Sequence, residues 1–188
     1  MELQDALLSR RSVRKYEARA VERTTLEHLI QTAVLSPSAT NAQPWAFGVV
    51  EGVERLRELS ARAKALLLEQ MGEFPHRQRY RELLSDPAFN IFYDAPALVV
   101  VYSHPLTPYA VGDASMAAYT LMLAAHDGGL ATCWIGFAHP LLQTAEVKAE
   151  FGVPDDLKVV APLVVGYPAA AMPQTPRNPP EMLFWRSA

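Results

Sequence analysis

Residues 97–102 read ALVVVY, and residues 110–135 follow with AVGDASMAAYTLMLAAHDGGLATCWI. A continuous β-branched run marks a strand covered on both faces. The next stretch is helical through about His126 and apolar almost all round, and residues 130–135 return to a short strand. A buried strand and an apolar helix place the chain among mixed folds with helices packed on a sheet.

The flanks extend this pattern. Leu3, Ala6, Leu7 and Leu8 share one face of a short N-terminal helix. A second helix is expected from Thr24, where Thr24-Thr25-Leu26-Glu27 has capping-box spacing. It carries Leu26, Leu29, Ile30, Ala33 and Val34 and stops near Ser36, because Pro37 disfavours helix in the residue before it. Residues 46–50 read as a buried strand, 53–71 and 139–151 as amphipathic helices, and 157–167 as enough Val and Leu for a strand pair around Pro162. Five of the 15 prolines then fall between Pro168 and Pro180, before Met182-Leu183-Phe184-Trp185, which is too apolar for a free tail. The sum is one α+β domain over residues 1–188.

Composition removes several function classes. The chain has 188 residues, half of them apolar, enough for a core without staples. Its 17 Lys and Arg against 20 Asp and Glu give a net charge of −3, which argues against a dedicated nucleic-acid binder. Cys133 is the only cysteine, and the five histidines never stand at i, i+4, so neither disulfides nor a metal site is expected. The N-terminus is acidic where a signal peptide is basic, and nothing reaches the roughly 18 apolar residues of a membrane span. A cytoplasmic location without membrane attachment is the expectation. Rossmann, P-loop, zinc-protease and nucleophile-elbow motifs are all missing from the sequence. Chemistry, if any, then falls to a bound organic cofactor.

Two constellations remain. Arg10-Arg11-Ser12-Val13-Arg14 closes the first helix. Cations there offset the helix dipole and solvate a surface; the same groups make an anion site of arginine forks and a hydroxyl. Ser36-Pro37-Ser38-Ala39-Thr40-Asn41-Ala42-Gln43-Pro44-Trp45 joins a helix to a strand. It reads as a rigid connection with Trp45 in the core, or as amide and hydroxyl groups suited to the edge of a planar heterocycle. Cys133 reads as inert packing, Asp113 as a helix N-terminal anion or salt-bridge partner, and His126-Asp127 as ordinary helix-end chemistry. Phe74, His76, Tyr80, Phe89 and Phe92 lie in a stretch that reads as a surface excursion or as a lid.

In this order the motifs resemble the FMN-dependent nitroreductase family. The similarity continues through Phe92-Tyr93-Asp94-Ala95-Pro96, Asp113 with its apolar helix, Gly129 to Gly136, and Val165-Gly166-Tyr167-Pro168. It covers nearly the whole chain apart from residues 52–90. The resemblance implies a nitroreductase-like fold: a mostly antiparallel central sheet flanked by helices, a variable helical excursion or lid at 64–93, and a proline-rich arm at 168–188. It also implies an obligate homodimer with FMN at the subunit interface. Carried over, Arg10, Arg11, Ser12 and Arg14 would hold the phosphate, ribityl chain and pyrimidine edge. Pro37, Ser38, Ala39 and Asn41 would reach the flavin from the other subunit. Trp134 and Ile135 would shape the side where the backbone near Gly136 faces flavin N5. Arg177 stands where the family places a phosphate-binding arginine, but Thr175 stands where many members carry a second basic residue.

The implied activity is NAD(P)H oxidation, with NADH or NADPH as donor and a nitroaromatic, quinone or other electrophilic small molecule as acceptor. Hydride would pass through flavin N5 in ping-pong fashion, and no side chain need act as general acid or base. The fold also supports flavin destruction and reductive dehalogenation, which nothing in the sequence singles out. The alternative is a flavin-binding storage or sensing protein without turnover. Both the all-round apolar helix at 110–126 and the apolar end of the arm make better sense if two chains share a core.

Overall fold

The computed structural model describes residues 1–73 and 75–187, without the side chains of residues 73 and 75–77. Four strands, β1 (Trp45–Glu51), β2 (Ala97–Ser103), β3 (Ala131–Trp134) and β4 (Lys158–Gly166), form one antiparallel sheet in the order β1-β2-β4-β3. The last strand in sequence thus lies in the middle.

Strand β2 shows why the sheet needs cover on both sides. Its side chains alternate, so Leu98, Val100 and Tyr102 enter one core while Ala97, Val99 and Val101 enter another. The first core is closed by α3 (Val53–Glu69), α4 (Arg81–Ser85), α6 (His139–Leu142) and α7 (Ala145–Phe151). The second is closed by α2 (Arg23–Ala33) and α5 (Ala110–Asp127). The buried stripe of α5 includes Ala114, Ala117, Ala118 and Ala125, and these small side chains let the helix approach the sheet closely. Its opposite face leaves Val111, Met116 and Tyr119 exposed. Helix α1 (Leu3–Ser9) lies against α5 and buries only Ala6, so Leu3, Leu7 and Leu8 extend that apolar surface.

Four sequence expectations change, the first being that β1, expected as a buried strand at 46–50, is a sheet edge with no fully buried residue. Helix α2 begins at Arg23 with no side-chain cap, and Glu27 pairs with Arg23 at 2.8 Å instead of reaching back to Thr24. The helix expected over 139–151 is two helices. Thr144 is extended between them, and its Oγ1 accepts the Val147 N–H at 3.3 Å, restarting the helix as an N-cap. The apolar run at 157–167 is one central strand, apolar on both faces because both faces are covered. A bulge at Val160 lets Val160 and Ala161 face the same core.

Residues 12–17 strap the N-terminal segment to the sheet. Ser12 bridges Thr132, the Val13 N–H donates to the Thr132 carbonyl at 3.0 Å, and the Glu17 N–H donates to the Tyr167 carbonyl at 2.9 Å. Gly166 makes this crossing possible: a Cβ there would lie 2.6 Å from Pro96 Cδ and 2.8 Å from Tyr16 Cδ1. Beyond Tyr167 the chain is extended, and Met182, Leu183, Phe184 and Trp185 are exposed.

Candidate functional site

The strap carries Arg10 to Arg14 along β3, between two cavities. The first, of about 430 Å³, is lined by Ser9, Arg10, Arg11, His126 and Thr132 among others. Three of these residues each carry a buried side-chain atom, Arg10 Nη1, Arg11 Nε and Thr132 Oγ1, that has no hydrogen-bond partner among the described residues. Orphaned donors of this kind are costly, and three around one cavity call for an anionic oxygen ligand. Arg11 also serves its own helix, since its Nη1 donates to the Leu8 and Arg10 carbonyls at 2.8 Å. The helix-end reading of the arginine cluster thus has a direct counterpart in Arg11. Arg10 lies 5.9 Å from the Tyr119 ring centroid, which links the cavity to the exposed face of α5.

At its far end β3 opens the second cavity, of about 340 Å³, which brings Arg14 together with Trp134, Ile135 and Gly136 and adds Tyr80, Tyr93 and Phe137. Gly136 starts a short 3-10 turn, and the first N–H groups of such a turn have no partner within it. The Arg14 guanidinium stands 5.9 Å from the Tyr93 ring. Tyr93 and Asp94 are both left-handed, at φ 56° and 54°. Asp94 holds that conformation by accepting from Asn90 Nδ2 at 3.0 Å and Arg57 Nε at 2.9 Å. The Asn90 bond and then the Arg57 charge keep its carboxyl below the usual range. Burial pushes the Tyr93 phenol up, against the opposing pull of Arg14. Burial likewise raises the Cys133 thiol, which keeps it protonated and unreactive.

From the excursion at 64–93, Tyr80 reaches the second cavity and stacks edge-on against Phe137 at 5.2 Å. Phe92 is core instead, and Phe89 packs against Tyr93. Phe74 and the His76 side chain lie outside the described residues.

The third group stands apart. In the loop after α2, Thr40, Asn41 and Gln43 are left-handed at φ 52°, 57° and 46°, a concentration of strain of the kind that marks functional loops. The loop is held from behind. Asp113, 4% exposed, accepts the Ala39 N–H at 3.1 Å; Ser36 bonds Thr120 at 2.7 Å; and Ser38 Oγ accepts the Gln43 N–H at 3.0 Å. This loop is held on α5 at Asp113 and Thr120, Arg10 reaches Tyr119 in the middle of the helix, and His126 stands near its end, about 20 Å along the axis from Asp113. Pro37, Ser38, Ala39 and Asn41 line neither cavity of the same chain. Arg177 lies in the exposed tail, where among the described residues its guanidinium bonds the neighbouring Thr175 and Pro176 carbonyls at 3.2 Å.

Sequence reasoning missed Thr132, Tyr93 and the clamp made by Asp113. No local signal marks Thr132, because its role comes from pairing with Ser12.

Comparisons with known proteins agree with this fold. The Nitroreductase family profile matches residues 7–167. Among curated relatives, 5,6-dimethylbenzimidazole synthase of Rhodospirillum rubrum is 30% identical, over 97% of this chain and 89% of the relative. Iodotyrosine deiodinase of Thermotoga neapolitana is 28% identical, over 94% of each. The crystal structure of a Bacteroides fragilis nitroreductase with bound FMN superposes with a TM-score of 0.83 at 26% identity, over 100% of both chains. Among the described residues no helix is long and apolar enough to cross a membrane. With a family match over most of its length and the expected antiparallel α+β architecture, the chain belongs to the nitroreductase family.

Proposed function

We propose that the chain is an FMN-dependent oxidoreductase that takes hydride from NADH or NADPH and reduces nitroaromatics, quinones or other electrophilic small molecules. The observation that supports the cofactor is that three residues lining one cavity each carry a buried polar atom, Arg10 Nη1, Arg11 Nε and Thr132 Oγ1, with no partner among the described residues. Two guanidinium groups and a hydroxyl suit a phosphate monoester, which charge-assisted bonds to arginine hold well. Ser12 bridges Thr132 on the strap but does not line that cavity, and it would meet the cofactor from beside it. FMN, when bound, supplies a two-electron carrier that takes hydride at N5 and passes it on.

Every other part of the chemistry is positioning and electrostatics by this chain. Arg14 would lie at the pyrimidine edge, where its charge favours the reduced flavin. Trp134, Ile135 and the Gly136 N–H would border the reacting side, and Tyr80 with Phe137 would limit which acceptor stacks there. Pro37, Ser38, Ala39 and Asn41 would serve the site of a second subunit, which fits their absence from the lining of either cavity of their own chain. The apolar face of α5, the α1 leucines and the exposed arm support a homodimer.

Stopped-flow mixing of the flavin-loaded protein with NADH and with NADPH tests this reading. Rapid bleaching by one donor, followed by reoxidation with menadione or a nitroarene, is the expected result. A yellow protein reduced by neither donor would make it a storage or sensing module. A chain that takes up no FMN would remove the reading altogether.

A further inference from the structure

Helix α5 ends in His126 and Asp127, and the His126 ring lines the same cavity as Arg10, Arg11 and Thr132. Ser9 Oγ lies 2.7 Å from His126 Nε2 and 2.6 Å from the Asp5 carbonyl oxygen. A carbonyl only accepts, so Ser9 gives its one hydroxyl hydrogen to Asp5 and accepts from the imidazole. Nε2 therefore carries a hydrogen in both charge states, and Nδ1 is the atom that titrates.

The surroundings of the ring are unevenly charged. Arg10 and Arg11, on the strap, repel an imidazolium, and partial burial disfavours it more. Asp127, the neighbour on α5, favours it but is already paired with the N-terminal ammonium at 2.6 Å. Asp5 faces the cluster through its backbone carbonyl. The last carbonyls of α5 favour a cation at this position. The result is a ring held neutral mainly by burial and then by the two arginines, with its pKa below the ordinary 6.5.

We propose that His126 is a member of the phosphate-binding site, taking up a proton from solvent at Nδ1 as a phosphate dianion enters beside Arg10 and Arg11. The inference rests on the flavin-phosphate reading above. A dianion between the guanidinium groups cancels their repulsion of the ring and adds an attraction. The proton affinity of Nδ1 therefore rises on binding. Because the bound state holds the proton more tightly, the gain in affinity is complete below the free-state pKa. It is lost as pH rises through the bound-state pKa.

The test is calorimetric titration of the flavin-free chain with FMN, from about pH 6 to about pH 8, in buffers of different ionisation enthalpy. His126→Gln keeps a donor for Ser9 but cannot titrate. The second ionisation of the phosphate, with a pKa of about 6, contributes equally to both proteins. The wild type is expected to take up more protons than H126Q, by up to one per FMN. Each unit of pKa rise is worth about tenfold in affinity across that range. Riboflavin, which lacks the phosphate, should show no such difference.

Equal proton uptake and equal pH slopes in the two proteins would overturn the role of His126 while leaving FMN binding in place. Absence of FMN binding in the wild type would overturn both. If H126Q does not fold, Ser9→Ala frees Nε2 and should move the midpoint of the pH dependence. An unmoved midpoint would then count against the inference.

Discussion

Arg10 and Arg11 are neighbours with different duties. Arg11 ties down the end of α1 through two carbonyls, whereas Arg10 has a buried nitrogen with nothing to bond. Arg10→Ala should therefore leave the fold intact and lower FMN affinity. Losing one or two bonds to a charged group costs about 1.5–3 kcal/mol each, or roughly 10- to 150-fold in Kd per bond. Arg11→Ala should lower thermal stability as well, and comparing melting curves with flavin titrations separates the two effects. Asp113 acts through the loop that it holds. Its carboxylate is the acceptor for the Ala39 N–H beside three left-handed residues. Asp113→Ala leaves that N–H without a partner and should destabilise the chain by about 1–3 kcal/mol. Asp113→Asn, which retains an acceptor oxygen, should restore most of the loss in a denaturant titration.

At the scale of elements, β2 and α5 were legible because each carries its own pattern: an unbroken β-branched run and an alanine-rich helix. The break between α6 and α7 was not, because apolar spacing continues across it and only the extended conformation of Thr144 ends the first helix. The single strand β4 was read as two because a central strand is apolar on both faces and so carries no alternation to measure its length. The candidate site divides in the same way. Arg10 to Arg14 and Ser36 to Gln43 show as local density of polar groups. Thr132 and Tyr93 acquire their roles from a long-range bridge and a left-handed backbone, neither of which leaves a local trace. Gly166 is where three elements meet, and Gly166→Ala must displace the Pro96 or Tyr16 ring. Overpacking of this kind costs about 1–3 kcal/mol. Urea unfolding should show it as a lower midpoint, accompanied by weaker flavin retention because the strap moves.

For the whole molecule, one helix carries both groups of proposed site residues. The strained loop is held at Asp113 and Thr120 of α5 and Arg10 reaches Tyr119, while the exposed face of the helix carries Val111, Met116 and Tyr119. A second copy covering that face would bring the loop of one chain to the arginines of the other. Met116→Glu, which leaves Arg10, Arg14 and the strained loop unchanged, should convert a dimer into monomers by sedimentation. Flavin should be lost at the same protein concentration at which the dimer dissociates. A monomer that keeps FMN with full affinity would show that one chain forms the site. The sheet order has a further consequence, for synthesis. Among the described residues strands β2 and β3 meet through β4, which is synthesised after both. A nascent chain that stops before Lys158 has a paired β1 and β2, an apolar α5 and no partner for β3. Chains stalled at successive lengths should therefore stay sensitive to protease until Gly166 has emerged, then become resistant in a single step. Until then this apolar chain depends on whatever binds exposed polypeptide in the cell.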